Sequence, residues 1–541
     1  MKKYLSTLFT NASKKLSYIE PKKVYFNVPK IKEHGDLATN YPLTIAKTLS
    51  RNPRDVAQEI ISNLTDPQDA IEKIEIAGPG FLNFKFKKEF ISSLIKEIID
   101  QKSAFGRSNL HSGKKAQVEF VSANPTGPLT VGHGRNAVFG DTIANILEWV
   151  GFDVDREYYF NNAGRQMRVL GDSVRLRYLS LCGESVDFPE DYYQGEYITD
   201  IAKTIFDKLG NNLLESKDEN YFKEIAEREI FKDIAETLNR LSIKFDSYFN
   251  ENTLYEEKKI DDVLQKLKSL GFSYESEGAI WLSLKNIGME ADKVIVKSSG
   301  EPTYRLPDIA YHIEKFKRNY DLMIDIFGSD HMATFPDVLA GLKILGYDES
   351  KVKVLIHQFV TIMEKGEVVK MSTRKANFIT LDQLIDEVGA DVVRYFFLMR
   401  SISSHLNFDL DLAKKHSDEN PVFYLQYAHA RICGILRLAK EEGHDPTEDF
   451  KLLIEEEELE LIKHLQLFPE VVESSASNFE PLLLITFLHD LAGFFHKFYH
   501  NHRVLGQPKN LTGARLSLCL SSQIVLQNGL KILGISAPEK M

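Results

Sequence analysis

The spacing of apolar and polar positions divides the chain into three stretches. Around residues 38–64 it predicts helix. Lys73–Ile76 and Phe81–Phe86 read as two strands flanking Gly78-Pro79-Gly80, a strong turn signal. A helix near Lys88–Gln101 closes a small α+β unit, and the polar run Gly106–Lys115 reads as a linker. The texture then changes. Gln117–Ser122 reads as a buried strand, Pro125-Thr126-Gly127-Pro128 as a rigid loop, Val131–Val150 as a helix and Val154–Phe160 as a second strand. Strand, loop, helix and strand in that order open a nucleotide-binding α/β sheet. Residues near 183–290 are charged and helical with little strand signal, and read as an insertion. The sheet resumes with Leu322–Phe327 (strand), Thr334–Leu345 (helix) and Lys353–Val360 (strand). After about residue 412 only amphipathic helices are expected, including Pro421–Leu438, Glu455–Leu467, Pro481–Tyr499 and Ala514–Leu533. The expected fold is therefore multidomain α/β. A small α+β domain spans 1–110, a Rossmann-like parallel-sheet domain 111–412 with its insertion, and an all-α bundle 413–541.

Composition narrows the setting. The 541 residues suit three to four domains at roughly 150 residues each. Cys182, Cys433 and Cys519 lie far apart, with no CxxC or Cys/His cluster, so neither a disulfide framework nor a cysteine zinc site is supported. A reducing, cytoplasmic setting fits. Ser6, Thr7, Thr10 and Asn11 interrupt any apolar core in Met1–Lys15, so no secretory leader is expected. The greasiest stretch, Pro481–Phe495, holds His489 and Asp490 and is too short for a bilayer, so no membrane partner is expected. The net charge of −11 weighs against a nucleic-acid partner, because phosphates need local positive charge. Its distribution alters that. Residues 1–50 carry +6, whereas 415–541 carry −5. Glu441–Glu460 alone holds −9, which leaves the rest of that stretch at +4.

Two segments carry chemistry. The first, Asn124-Pro-Thr-Gly-Pro-Leu-Thr-Val-Gly-His-Gly-Arg135, joins a strand to a helix. Gly132 and Gly134 leave room for a ligand beside the backbone, and the helix start offers free N–H groups to a phosphate. Thr130 and His133, three apart, share the first turn and both can donate to phosphoryl oxygens. Gly132-His-Gly134-Arg-Asn-Ala137 also matches GxGxxA, with Asp153 about 20 residues on, which is the dinucleotide-binding fingerprint. Against that reading, Pro125 to Thr130 intervene where the tight turn belongs. The second segment is Glu367-Val-Val-Lys370-Met-Ser-Thr-Arg374-Lys375. Its cations Lys370, Arg374 and Lys375, after a hairpin-like strand, suit a loop that closes over a polyphosphate and stabilises departing pyrophosphate. Alone, it reads more readily as a solvated surface turn.

Together the two segments resemble the paired signatures of class I aminoacyl-tRNA synthetases: Thr130-Val-Gly-His133 the HIGH motif, Lys370-Met-Ser-Thr-Arg374 the KMSKR motif. The resemblance narrows to arginyl-tRNA synthetases and covers nearly the whole chain. It is carried by His34-Gly-Asp-Leu-Ala-Thr-Asn40, Ala77-Gly-Pro-Gly-Phe81, Tyr158–Gln166, Phe327-Gly-Ser-Asp-His331, Asn420–Arg431 and the ending Ser536–Met541. It implies that arginine and ATP form an aminoacyl-adenylate, and that arginine then passes to the tRNA 3′ end. Thr130, Gly132, His133, Gly134, Lys370, Met371 and Ser372 would bind ATP, with Mg2+ expected alongside. Thr130, His133, Lys370, Arg374 and Lys375 would carry catalysis. Glu119, Asn124, Tyr304, Asp308 and Asp330 would bind arginine, whose planar five-donor guanidinium needs acidic and amide acceptors. Tyr424, Tyr427, Arg431 and Met541 would contact tRNA. Residues 1–110 would meet the tRNA elbow and 413–541 the anticodon stem-loop, with Glu441–Glu460 facing away from the RNA. The insertion reads as structural or acceptor-facing, because a site of buried carboxylates rejects other amino acids without editing. A monomer that needs tRNA before it activates arginine is expected.

Two positions depart from the family pattern. Thr130 replaces the first histidine of HIGH, and Thr373 the second lysine of KMSKR. They keep a catalytically silent tRNA-binding paralogue in view, and the GxGxxA match keeps an NAD-linked oxidoreductase. His496, His500 and His502 invite a metal, but no acidic ligand is evident near them in the sequence, so packing or tRNA contact is expected and a metal is not.

Overall fold

A computed structural model describes residues 1–214, 219–369 and 379–541, and of Glu219 and Asp330 only the backbone. Lys370, Met371, Ser372, Arg374 and Lys375 lie outside the described residues.

Five parallel strands form the central sheet: Lys115–Glu119, Asp153–Phe160, Ser247–Asn250, Leu322–Gly328 and Val352–His357. Lys115–Glu119 lies in the middle, between Asp153–Phe160 and Leu322–Gly328, and the other two strands take the edges. Chain order therefore reverses beside the first strand. In open α/β sheets, ligands bind at the carboxyl ends of the strands at that reversal. Asp325 and Glu119 sit opposite each other there, in register. Ala116, Val118, Phe120, Met323, Ile324 and Ile326 are buried, as expected where helices cover both faces. The helix Val131–Trp149 lies close on the first strand, and Gly140 permits this: a Cβ there would stand 2.3 Å from the Phe120 ring.

The insertion differs from its expected strand-poor character. Ser247–Asn250 adds an edge strand to the parallel sheet. Ser273–Ser276, Ala279–Leu282 and Lys293–Val296 form a separate antiparallel sheet. Strands of four residues are too short to display a clear period of two.

At the N-terminus, Ile71–Ala77 and Phe81–Phe86 pair as an antiparallel hairpin around Gly78-Pro79-Gly80, as expected, and Leu37–Thr39 adds a third strand. The expected helix at 38–64 is two, Tyr41–Leu49 and Pro53–Asn63, separated at Ser50, which is left-handed, and capped anew by Asn52. The C-terminal region is helical: Pro421–Glu441, Glu456–Leu465, Phe468–Asn478, Leu482–Asn501 and Lys509–Ile532. No helix among the described residues is long and apolar enough to cross a membrane.

Two sets of polar contacts join these parts. Lysines of the N-terminal region reach the acidic segment: Lys32 pairs with Glu456 (3.0 Å) and Glu460, Lys96 with Glu448 (2.8 Å), and Lys88 Nζ donates to the Ile454 carbonyl (3.0 Å). Elsewhere, the fully buried Arg394 bonds to Asp141 Oδ2 (2.6 Å), the Leu241 carbonyl (2.8 Å) and the Leu533 carbonyl (2.8 Å). One guanidinium thus ties the helix after the first strand, the end of the insertion's long helix and the last helix of the chain together.

Candidate active site

The chain leaves the first strand through a strained turn. Val121 and Ser122 both hold positive φ, at 66° and 44°. A β-branched residue there costs on the order of 1–3 kcal/mol and persists only when its surroundings enforce it. Asn136 does so: its Oδ1 accepts from the Val121 N–H at 2.7 Å while its Nδ2 donates to the Ile326 carbonyl at 2.8 Å. The turn places Ser122 Oγ 3.1 Å from Glu119 Oε1 and leads to Asn124. Asn124 Oδ1 accepts from the Asn161 N–H (3.0 Å) and its Nδ2 donates to Gln166 Oε1 (3.1 Å). Neither Asn136 nor the left-handed pair was signalled by spacing.

The loop ends in a capping box. Thr130 is the N-cap of Val131–Trp149, its hydroxyl accepting from the His133 N–H, while its own N–H donates to His133 Nδ1 at 3.2 Å. A ring nitrogen that accepts carries no proton. The proton therefore sits on Nε2, so His133 is a neutral donor with a fixed tautomer. Burial, and then the neighbouring His357, push its pKa down to about 4, so it is uncharged at pH 7. Thr130 is thus bound into the helix start and orients the histidine. Gly132 leaves open space, its nearest Cβ neighbour being Thr130 Oγ1 at 3.7 Å. Gly134 differs: it is buried, and a Cβ would meet Leu381 Cδ1 at 2.5 Å, so its bareness serves packing. The GxGxxA reading loses its basis here. The strand ends at Glu119 and the helix begins at Val131, so no tight strand-to-helix turn holds the glycines.

The segment flanking 370–378 is pinned to this loop. The hairpin Val360–Glu364 and Glu367–Val368 leads into it, as expected. On its far side the Leu381 N–H donates to the Leu129 carbonyl at 2.8 Å, and Thr130 bridges Thr380. Arg135, fully buried, donates to the carbonyls of Gln358 (2.9 Å), Ser404 (2.8 Å) and Ser401 (2.9 Å). The described residues on either side of 370–378 therefore lie beside the first signature segment.

On the other side of the switch point lies a buried acidic cluster. Glu119 and Asp325 are almost fully buried, and Asp308 is half-buried on the helix Arg305–Lys317. Burial, and then the carboxylates of Glu119, Glu251 and Asp325, push the Asp308 pKa up to about 7 against the opposing pull of His312. Burial pushes the Glu119 carboxyl up as well, against the opposing pull of Lys315. Tyr304 is the N-cap of the same helix, one turn before Asp308 as expected, and is 82% exposed. Asp330 lies in the turn Ser329–His331, and its side chain is outside the described residues.

In the C-terminal helices, Tyr424 stacks on His489 (5.8 Å between ring centroids), and Arg431 Nη1 bonds the Tyr427 hydroxyl (2.9 Å) and lies over Tyr499 (4.6 Å). Met541 is exposed. His502 does have an acidic neighbour, contrary to the sequence reading: Glu457 Oε2 at 3.0 Å. That pair joins two helices, and no group of three metal-ligating side chains occurs among the described residues.

A doubly wound sheet with a histidine-bearing helix start at its switch point fits the class I aminoacyl-tRNA synthetases, and the family matches show that class. The family described as "tRNA synthetases class I (R), catalytic domain" matches residues 94–394. "Arginyl tRNA synthetase N terminal domain" matches 3–86 and "DALR anticodon binding domain" 425–541. The chain belongs to the arginyl-tRNA synthetase family. It is 51% identical to the arginine–tRNA ligase of Desulfotalea psychrophila over 96% of its length and 95% of that protein. It is 48% identical to that of Salinibacter ruber over the full length of both. Its fold matches Thermus thermophilus arginyl-tRNA synthetase with a TM-score of 0.77, at 22% identity, over all of both chains.

Proposed function

We propose that the chain ligates L-arginine to its cognate tRNA through an arginyl-adenylate. The observation that carries this is the acidic cluster of Glu119 and Asp308 across the switch point from the Thr130–His133 turn, in a chain with full-length likeness to arginine–tRNA ligases. An α-carboxylate oxygen of arginine attacks the α-phosphorus of ATP in line, the bond to pyrophosphate breaks, and the tRNA 3′ hydroxyl later displaces AMP. No protein nucleophile takes part, so the rate comes from positioning and electrostatics. His133 donates through Nε2 to a phosphoryl oxygen, Gly132 admits the nucleotide, and Thr130 holds the histidine. Lys370, Arg374 and Lys375 offset charge on the α-phosphate and pyrophosphate, with Mg2+ carried on ATP. Asp308, Glu119, Asn124, Tyr304 and Asp330 receive arginine. Residues 1–110 meet the tRNA elbow. Residues 413–541, with Tyr424, Tyr427, Arg431 and Met541, meet the anticodon stem-loop. The enzyme works in the cytoplasm as a monomer.

Arginine-dependent pyrophosphate–ATP exchange, with and without tRNA, tests the reading. No exchange even with cognate tRNA defeats it and leaves a silent tRNA-binding paralogue. Within it, His133→Ala is expected to lower the exchange kcat by about 10²–10³-fold, with the arginine KM changed less than about threefold. An equal rise in arginine KM would move His133 out of the ATP site.

Arginine affinity should also titrate. A guanidinium binds the ionised Asp308, which is half protonated near pH 7 in the empty site. Each pH unit below 7 should then weaken binding by about tenfold, while affinity flattens above pH 8. Isothermal titration between pH 6 and 8.5 checks this, and a flat profile would remove Asp308 from the role.

A further inference from the structure

The helix Arg305–Lys317 presents Asp308, Tyr311, His312 and Lys315 on one stripe facing the sheet. The proposed function uses Asp308 and leaves the rest unassigned. Lys315 is fully buried. Its Nζ donates to Glu119 Oε2 at 2.5 Å and to Asp325 Oδ1, and it lies 4.4 Å from the Tyr311 ring centroid. The second oxygen of Asp325 meets His312 Nε2 at 2.9 Å, and His312 Nδ1 meets the Asp308 carbonyl at 2.7 Å. A chain of contacts thus runs from the main-chain carbonyl of Asp308 through His312, Asp325 and Lys315 to Glu119, and from Glu119 through Ser122 into the loop that carries Asn124.

Glu119 and Asp325 lie opposite each other on adjacent parallel strands, both buried. Two such carboxylates cannot both ionise without a shared cation. A lysine suits the place because its compact ammonium, with three donors, can be shared between two closely spaced carboxylates. The ionisable groups around Nζ are Glu119, Asp325 and Glu157 from three neighbouring strands, and Asp308, Tyr311 and His312 from its own helix. Arg318, just beyond that helix, is bonded to Glu157 at 2.8 Å and is not free to replace it.

We propose that Lys315 is a positioning residue of the arginine pocket, a resident cation that holds Glu119 ionised and fixed so that the substrate guanidinium meets a preformed acceptor. The proposal rests on the reading of this pocket as the arginine site. Asp308 then remains the carboxyl whose ionisation the substrate itself completes.

The test measures exchange and thermal stability in the full chain for three variants. Lys315→Met should raise the arginine KM by about 30-fold or more, with the ATP KM within about twofold. Without the cation the Glu119–Asp325 pair takes up a proton, so the pH profile of kcat/KM for arginine should move up by about one unit or more. Lys315→Arg should keep the profile in place. Lys315→Gln with Asp325→Asn removes the cation together with one anion, so it should fold and still show the raised arginine KM. An unchanged arginine KM and profile in the double variant overturns the proposal. So does a loss shared equally by arginine and ATP, which marks a merely structural role. Absence of arginine-dependent exchange in the unsubstituted chain instead defeats the arginine reading on which the proposal rests.

Discussion

Asp308→Asn should lower kcat/KM for arginine by about 10²–10⁴-fold while making the unliganded chain more stable. The first effect follows from burying a guanidinium without its anion, which costs about 3–5 kcal/mol. The second follows from linkage. The folded Asp308 pKa is raised from 3.8 to about 7, so the native state holds its proton more tightly than the unfolded chain between those values. Stability therefore falls as pH climbs from about 4 to 7, and the full penalty persists above 7. Asparagine carries no charge to desolvate, so the variant should gain on the order of 1–3 kcal/mol at pH 8 and nothing near pH 4. Urea unfolding at the two pH values, beside exchange kinetics, checks both signs. A variant that loses activity and stability together would mark Asp308 as a packing residue.

Arg394→Met should destabilise the chain by about 3–5 kcal/mol. Methionine fills much of the volume but leaves Asp141 with two more distant partners, Arg156 Nε at 3.6 Å and Asn145 Nδ2 at 3.4 Å. It also strips two buried carbonyls, Leu241 and Leu533, of a donor. A buried acceptor left without a partner costs about 1–3 kcal/mol. Adding Asp141→Asn should recover part of the loss, since the orphaned charge is then gone. A drop below about 1 kcal/mol in urea unfolding would show that this junction is held by apolar packing alone.

The features legible in the sequence share a physical cause. The strands Asp153–Phe160 and Leu322–Gly328 and the helix Val131–Trp149 form long, strongly patterned runs, and their spans match the expected ones to within a residue or two. Ser247–Asn250 was missed because an edge strand of four residues with one exposed tyrosine leaves no alternation to read. Thr130 and His133 stood out through a local motif, and Asp308 only through the family resemblance. Lys315 did not, since a lysine on a helix ordinarily signals a solvated face. Its partners come from strands 10 and 196 positions away, which no spacing rule connects. Its interval of seven from Asp308 was the available hint. The tautomer of His133 was hidden for a different reason: it depends on one backbone N–H at the cap.

The acidic stretch 441–460 changes what the charge tally of the N-terminal region means. Lys32 and Lys96 already have carboxylate partners, as does Lys2 with Glu470. An RNA phosphate arriving at such a lysine displaces a tethered side chain instead of a dissolved ion. Fewer mobile counterions are then set free per contact, and the entropy of their dilution is smaller. The affinity of that surface for RNA would depend less steeply on ionic strength than nine lysines in the first fifty residues imply.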